Sequence, residues 1–250
     1  MRQFFSPKKR VNDKQRYLLK WDNEVGKWGL YTSTNASVQP PPTKKRELNR
    51  FFDALDADID LTVKVKVENV IAVLLESPHK DEYSDKMSPR GPARGATGTN
   101  FQTYFVSHVL PMLVAAGLRL EETLVYRIYM VNPVPYQASL GRLLDKPPKH
   151  LNDLKSKVWE NLWNADCQEG FVDRMKVYKP RIILNGCTAD VKQEVTNTVN
   201  SHRSSFELEQ HFNIAHPSNW QKNLKPFGKP DSTPRTVADR ASSRTSLPAR

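Results

Sequence analysis

A chain of 250 residues with 38% hydrophobic content is long enough to bury one sizeable core, and its apolar runs Val70 to Leu75 and Val109 to Leu118 are too short for a membrane span. The formal net charge of +11 sits entirely at the two ends: residues 1–20 hold seven Lys/Arg and one Asp, residues 221–250 hold seven and two, and residues 21–220 hold 24 of each sign. Basic ends of this kind suit phosphate backbones or simply stay solvated, so the charge permits a nucleic-acid partner without establishing one.

The basic N-terminus is not followed by the apolar stretch of a secretory signal, so a cytoplasmic protein without membrane contact is expected. Cys167 and Cys187 lack nearby ligand-spaced partners, which argues against a disulfide framework or a zinc ribbon and leaves two buried thiols. Arg16 to Thr32 alternates aromatic and polar residues around an Asp22 to Gly26 turn and predicts a β-hairpin. Gln39-Pro40-Pro41-Pro42 breaks the pattern, and Lys45 to Leu55 then has helical spacing, so residues 1–65 are expected to form an N-terminal extension.

From about residue 66 to 222 the pattern becomes that of an α/β core. Four β-rich runs, Val70–Leu75, Leu124–Val131, Arg181–Leu184 and Phe212–Ala215, are separated by stretches long enough for helices. This predicts a three-layer α/β/α domain around a four-stranded parallel sheet. A helix capped by Thr99 or Asn100 carries an apolar stripe from Phe101 to Ala116 that includes His108, expected to be a core histidine, and Pro111 should kink it. Further helices are expected over Leu151 to Ala165, with Leu151, Leu154, Val158 and Leu162 on one face, and over Ala189 to Val199. Residues 223–250 read as a basic, mobile tail.

In an open parallel sheet, ligands bind beyond the carboxyl ends of the strands. The four predicted strands deliver Glu76-Ser77-Pro78-His79, Asn132-Pro133, Asn185-Gly186 and His216-Pro217-Ser218 to that edge. Each has an ordinary explanation as a turn or capping residue, but together they place hydrogen-bonding groups from four loops at one edge.

Glu76-Ser77-Pro78-His79 with the stretch Gly91 to Gly98 resembles the first motif of the uracil-DNA glycosylase superfamily, and Ala215-His216-Pro217-Ser218 resembles its second. Val131-Asn132 falls where that family places a base-reading asparagine, and the resemblance spans roughly residues 66 to 222. It implies that Glu76 orients or activates the attacking water, Asn132 reads the flipped pyrimidine, and His216 hydrogen-bonds the departing base oxygen. Ser77, His79 and Arg94 would border the base. Pro78, Gly95, Thr97, Gly98, Asn185, Ser218 and Trp220 would lie along the DNA backbone. The chemistry is consistent: breaking an N-glycosidic bond leaves a cationic sugar and an anionic base, which call for a carboxylate and a donor.

The departures concern the substrate. Ser77 stands where many members carry a catalytic Asp or Asn, His79 replaces a Tyr or Gly, and Ala93-Arg94 occupy the place of a stacking aromatic. Asn219-Trp220 follows the second motif in place of proline; Trp220, Leu224 or Phe227 is a candidate wedge, although packing is the commoner task for such residues. The expectation is a monomeric, cofactor-free and metal-free DNA glycosylase acting on double- or single-stranded DNA. Its substrate would be uracil or a modified cytosine of the kind some phage genomes carry, in repair or antiviral defence. The alternatives are a non-catalytic nucleic-acid-binding module on the same fold and a metal-dependent hydrolase using Glu76, His79, Asp81, Glu82 and His216.

Overall fold

The computed structural model describes residues 10–32, 41, 47, 50–54, 69–84, 88–138 and 152–221. At its centre, β3 (Val70–Leu74) is buried at every position, as a strand covered on both faces must be. Its alternation divides the core. Ile71 and Val73 join one apolar cluster with Phe101 and Phe105, while Ala72 and Leu74 join a second with Trp159, Trp163 and Val195.

The sheet has six strands in the order β2-β1-β4-β3-β5-β6, where β1 is Lys14–Asp22, β2 Lys27–Tyr31, β4 Tyr126–Val131, β5 Pro180–Asn185 and β6 Gln210–Asn213. The last four in that order pair in parallel, whereas β1 runs antiparallel to both β4 and β2. The expected four-stranded parallel sheet is thus only part of a mixed six-stranded one. The predicted hairpin is present, but it extends the main sheet along β4 instead of standing apart as an extension. Tyr17, Leu19 and Leu30 carry it into the first cluster, and pairing with β1 removes what would otherwise be a bare sheet edge at β4.

Helices cover both faces. On the first lie α1 (Ala96–Tyr104) and α2 (Leu110–Ala115), joined by a π-turn at Phe105–Val109 in which the Leu110 N–H reaches back to the Phe105 carbonyl. The wider turn inserts one residue and so rotates the succeeding helix by about 100°. His108 is therefore exposed beside Ser107 instead of buried, and the apolar seam passes through Phe105, Val109, Leu110 and Leu113. Pro111 occupies the first turn of α2, where its missing N–H is least costly.

On the second face lie α3 (Asn152–Leu162), a π-turn at Trp163–Cys167, α4 (Gln168–Tyr178) and α5 (Ala189–Ser201). The helix predicted to end near Ala165 thus continues to Tyr178. Its buried seam is Trp159, Trp163 and Cys167; Leu154, assigned to the apolar face, is 42% exposed, and Val158 and Leu162 lie at the margin of the core. Leu151 and the basic tail from 223 lie outside the described residues.

Helix α1 begins at Ala96, three residues before the predicted cap, and packs tightly against the loop that precedes it. A Cβ on Gly98 would stand 1.9 Å from the Ala93 carbonyl oxygen and 2.8 Å from the Phe52 ring. Gly98→Ala is accordingly expected to cost at least as much as ordinary overpacking, about 1–3 kcal/mol. Thermal unfolding followed by circular dichroism should show a lowered midpoint, and an unchanged one would contradict this close approach.

Candidate active site

The chain runs from β3 to β4 on one side and returns to β5 on the other, so the carboxyl end of β3 is a topological switch point. A cavity of about 270 Å³ opens there, bordered by Glu76 after β3, Thr188 after β5 and His216 after β6. It is smaller than a drug-sized pocket of ~300–1,000 Å³ and suits a single small ring.

Glu76 is 4% exposed. Its backbone leaves β3 with φ +154°, a region that residues with a Cβ seldom enter, and its carbonyl accepts from Val134 N–H at 3.1 Å and Trp159 Nε1–H at 3.3 Å. Those two bonds fix where the carboxylate emerges. Lys155 of α3 places Nζ 2.5 Å from Oε1, and the Thr188 hydroxyl donates to Oε2. Thr188 is itself held by Asn185, whose Oδ1 accepts from Cys187 N–H at 3.1 Å while its Nδ2 donates to Thr196 Oγ1 at 3.0 Å.

Across the cavity, His216 accepts a hydrogen bond at Nδ1 from Ser218 N–H at 3.2 Å, with Ser218 Oγ 2.8 Å from the same nitrogen. An Nδ1 that accepts from a backbone amide leaves the proton of the neutral ring on Nε2. Burial lowers the pKa of this histidine to about 4; Glu76 opposes that shift, and Lys155, Lys192 and His79 reinforce it. The ring is neutral at physiological pH and offers one N–H. Its loop is clamped by Asn100 of α1, which donates to the Pro217 and Ser218 carbonyls at 3.0 and 3.1 Å.

Glu82 forms a further wall of the cavity and is 3% exposed. Ala93 N–H donates to its Oε1 at 2.9 Å and Asn132 Nδ2 to its Oε2 at 3.0 Å. Burial raises its pKa to about 8, against the opposing effects of Asn132, Ala93 N–H and Arg16.

Of the residues singled out in the sequence, Glu76, Ser77, Pro78, His79 and Arg94 line the cavity together with Thr97, His216 and Ser218. His79 is largely exposed and lies 3.3 Å from Asp81, while Arg94 is buried and ion-paired with Asp53 at 2.8 Å. Gly95 caps α1 at φ +73°, where an added Cβ would stand 2.8 Å from Asp81 Oδ2. Four others stand elsewhere. Asn132 is fully buried behind Glu82, and Asn185 is fully buried and spends its amide on the β5 turn. Gly98 is a packing residue. Trp220 is a core residue, with Nε1–H on the Ala215 carbonyl at 2.8 Å and its ring against Phe101, so it is neither a wedge nor a backbone contact. Leu224 and Phe227 lie outside the described residues.

Lys155 and Thr188 were not singled out in the sequence, Asn100 was named only as a possible helix cap, and Glu82 only in the metal alternative. A lysine, a threonine and an asparagine within helical or turn segments carry no signal until the fold brings them to the site. Among the described residues, no group of three or more His, Cys, Asp or Glu is gathered to hold a metal ion. No helix among them is long and apolar enough to cross a membrane.

Comparison with family models, curated proteins and solved structures finds no match. What the cavity does must therefore be read from its own chemistry.

The low pKa of His216 links the site to stability. Its folded value of about 4 lies below the ordinary 6.5, so between those values the unfolded chain binds more protons. The stability that neutral His216 contributes is present above pH 6.5 and is lost as pH falls through 4. In urea unfolding at a series of pH values, His216→Asn is expected to reduce the loss over this interval by on the order of 1–3 kcal/mol. An unchanged slope would mean that His216 titrates normally.

Proposed function

We propose that the protein is a DNA glycosylase of the uracil-DNA glycosylase type, which takes a flipped pyrimidine into the cavity and hydrolyses its N-glycosidic bond. The observation that carries this reading is the pairing, across one small cavity, of the Glu76 carboxylate with a neutral His216 whose proton is on Nε2. The C1′–N bond breaks with its electron pair passing to the base. Nε2–H donates to the oxygen on which that negative charge develops, and the Lys155 ammonium adds positive potential nearby. Glu76 stabilises the sugar cation and orients water, whose oxygen bonds to C1′ and whose proton the carboxylate receives. The base must leave the helical stack to reach these groups, whether the substrate is double- or single-stranded.

An already neutral histidine suits this task. It donates to an anion without the cost of holding a buried charge, and it remains a donor throughout neutral pH. The walls differ from those implied by the resemblance: His79 is exposed at the rim, and no Phe, Tyr or Trp among the described residues lines the cavity. A rim without a bulky stacking wall favours a pyrimidine enlarged at its ring edge, such as a modified cytosine, alongside uracil itself. The basic ends of the chain supply sequence-independent attraction to the phosphate backbone.

The test is to incubate the protein with oligonucleotides bearing uracil, mismatched thymine or modified cytosines and then cleave abasic sites with alkali. Strand breaks are expected, and they should persist in EDTA. Glu76→Ala and His216→Ala should each slow excision by ~10²–10³-fold while leaving DNA affinity within a few-fold, because both act chiefly in the transition state. Tight binding without release of any base would instead identify a binding module.

Removing residues 228–250 should weaken binding and flatten its dependence on salt. An identical salt slope in the truncated chain would mean that the tail does not touch DNA.

A further inference from the structure

Asn132 occupies the position from which the resemblance would have it read the base, yet it cannot reach one. It has no exposed surface, it is separated from the cavity by Glu82, and its Nδ2 is committed to Glu82 Oε2 at 3.0 Å. The residue that does line the cavity at this position is Glu82. The geometry points to Glu82, in place of Asn132, as the specificity-determining residue that reads the ring edge of the bound base, and to a hydrogen-bond acceptor on that edge as what it reads.

Both carboxyl oxygens of Glu82 are already engaged as acceptors, Oε1 by Ala93 N–H and Oε2 by Asn132. A neutral carboxyl held by these two bonds still has one O–H to offer a ligand. Glu82 carries one at neutral pH because burial holds its pKa at about 8. A carboxylic acid kept neutral in this way is a strong donor in a dry site. Its natural counterpart is a carbonyl oxygen or an unprotonated ring nitrogen, which pyrimidines present along the edge away from the sugar.

The surrounding charges support the assignment. Arg16 of β1 approaches from the sheet side, where it donates to the Ala93 carbonyl at 2.7 Å, and it favours the ionised form. Asp81, on the same short turn, favours the neutral form. His79 is drawn toward Asp81, Arg94 toward Asp53 and Lys155 toward Glu76, so the other charged groups at the cavity are each engaged with a partner of their own. Asn132 becomes a positioning residue that orients Glu82 from behind. Arg174 of α4 holds the loop that carries it, donating to the Asn132 and Pro133 carbonyls at 2.9 and 3.2 Å.

This inference rests on the glycosylase reading, and its test separates the two. Excision of whichever base the oligonucleotide screen releases is measured from pH 6 to 10 for the wild type, Glu82→Gln and Glu82→Ala. Wild-type kcat/KM should fall about tenfold per pH unit above pH 8, as Glu82 loses its proton. Glu82→Gln retains an N–H donor at every pH and should lack that limb, while any ionisation of the base itself is common to all three proteins. Glu82→Ala should lose at least tenfold in kcat/KM at pH 7, expressed mainly in KM. If Glu82→Ala fails to fold, the comparison of Glu82→Gln with the wild type decides alone. A Glu82→Gln profile with the wild-type limb, or a Glu82→Ala protein with unchanged kcat/KM, overturns the assignment while leaving the glycosylase standing. No base released by the wild type overturns both.

Discussion

Removing the Glu76 carboxylate from water at the end of the central strand costs several kcal/mol, and an unpaired charge there would not persist. The ion pair with Lys155 and the hydroxyl of Thr188 offset that cost, and satisfying them constrains much of the structure. Helix α3 must cross the second face so that Lys155 reaches the mouth of β3, and the buried Trp159–Trp163 stack holds it there. The turn after β5 must bring Thr188 forward, a task given to Asn185 from inside the core. A carboxylate at the switch point thereby ties two strands of the sheet, β3 and β5, and one helix to a single geometry.

The same burial acts in opposite directions on the two other ionisable walls. It disfavours whichever form is charged, so it pushes the His216 imidazole toward neutrality from the cationic side and the Glu82 carboxyl toward neutrality from the anionic side. The outcome is two neutral donors around one charged, paired carboxylate. Such a lining suits a ligand that arrives neutral and leaves with negative charge. Lys155 supplies the charge that balances Glu76 in this lining.

The hairpin is more than an added edge. Its register with β4 shifts between Gln15 and Tyr17, and the bulge leaves Arg16 and Tyr17 both buried. Tyr17 enters the core against Phe101. Arg16 reaches Ala93 and lies over the Phe52 ring, bracing the loop that also carries Arg94 and donates to Glu82. Residues far upstream in the chain thus shape the wall of a cavity formed by strands from its centre. On the neighbouring side, Arg174 pairs with the buried Asp13 at 2.7 Å while holding the loop after β4.

What the sequence by itself determined is local. A run such as Val70–Leu74, apolar on both faces, is a buried strand wherever it is placed, and the polar residues that succeed such strands, Glu76 and His216 among them, emerge at one edge because a parallel sheet aligns its carboxyl ends. Tertiary structure decided which of those residues line the cavity. Asn132 and Asn185 sit at strand ends as predicted, yet Asn132 turns its Nδ2 to the buried Glu82 carboxyl and Asn185 commits its amide to the turn after β5 and to α5. The π-turn at Phe105–Val109 shifted the phase of its helix and exposed His108, because one inserted residue leaves no mark in the local periodicity, and in α3 the packing of Trp159 and Trp163 set the buried seam that leaves Leu154 outside. Lys155, Thr188, Asn100 and Glu82 became site residues only through contacts across tens of positions in the chain, and partners that distant are chosen by packing, not by any pattern near the residue itself.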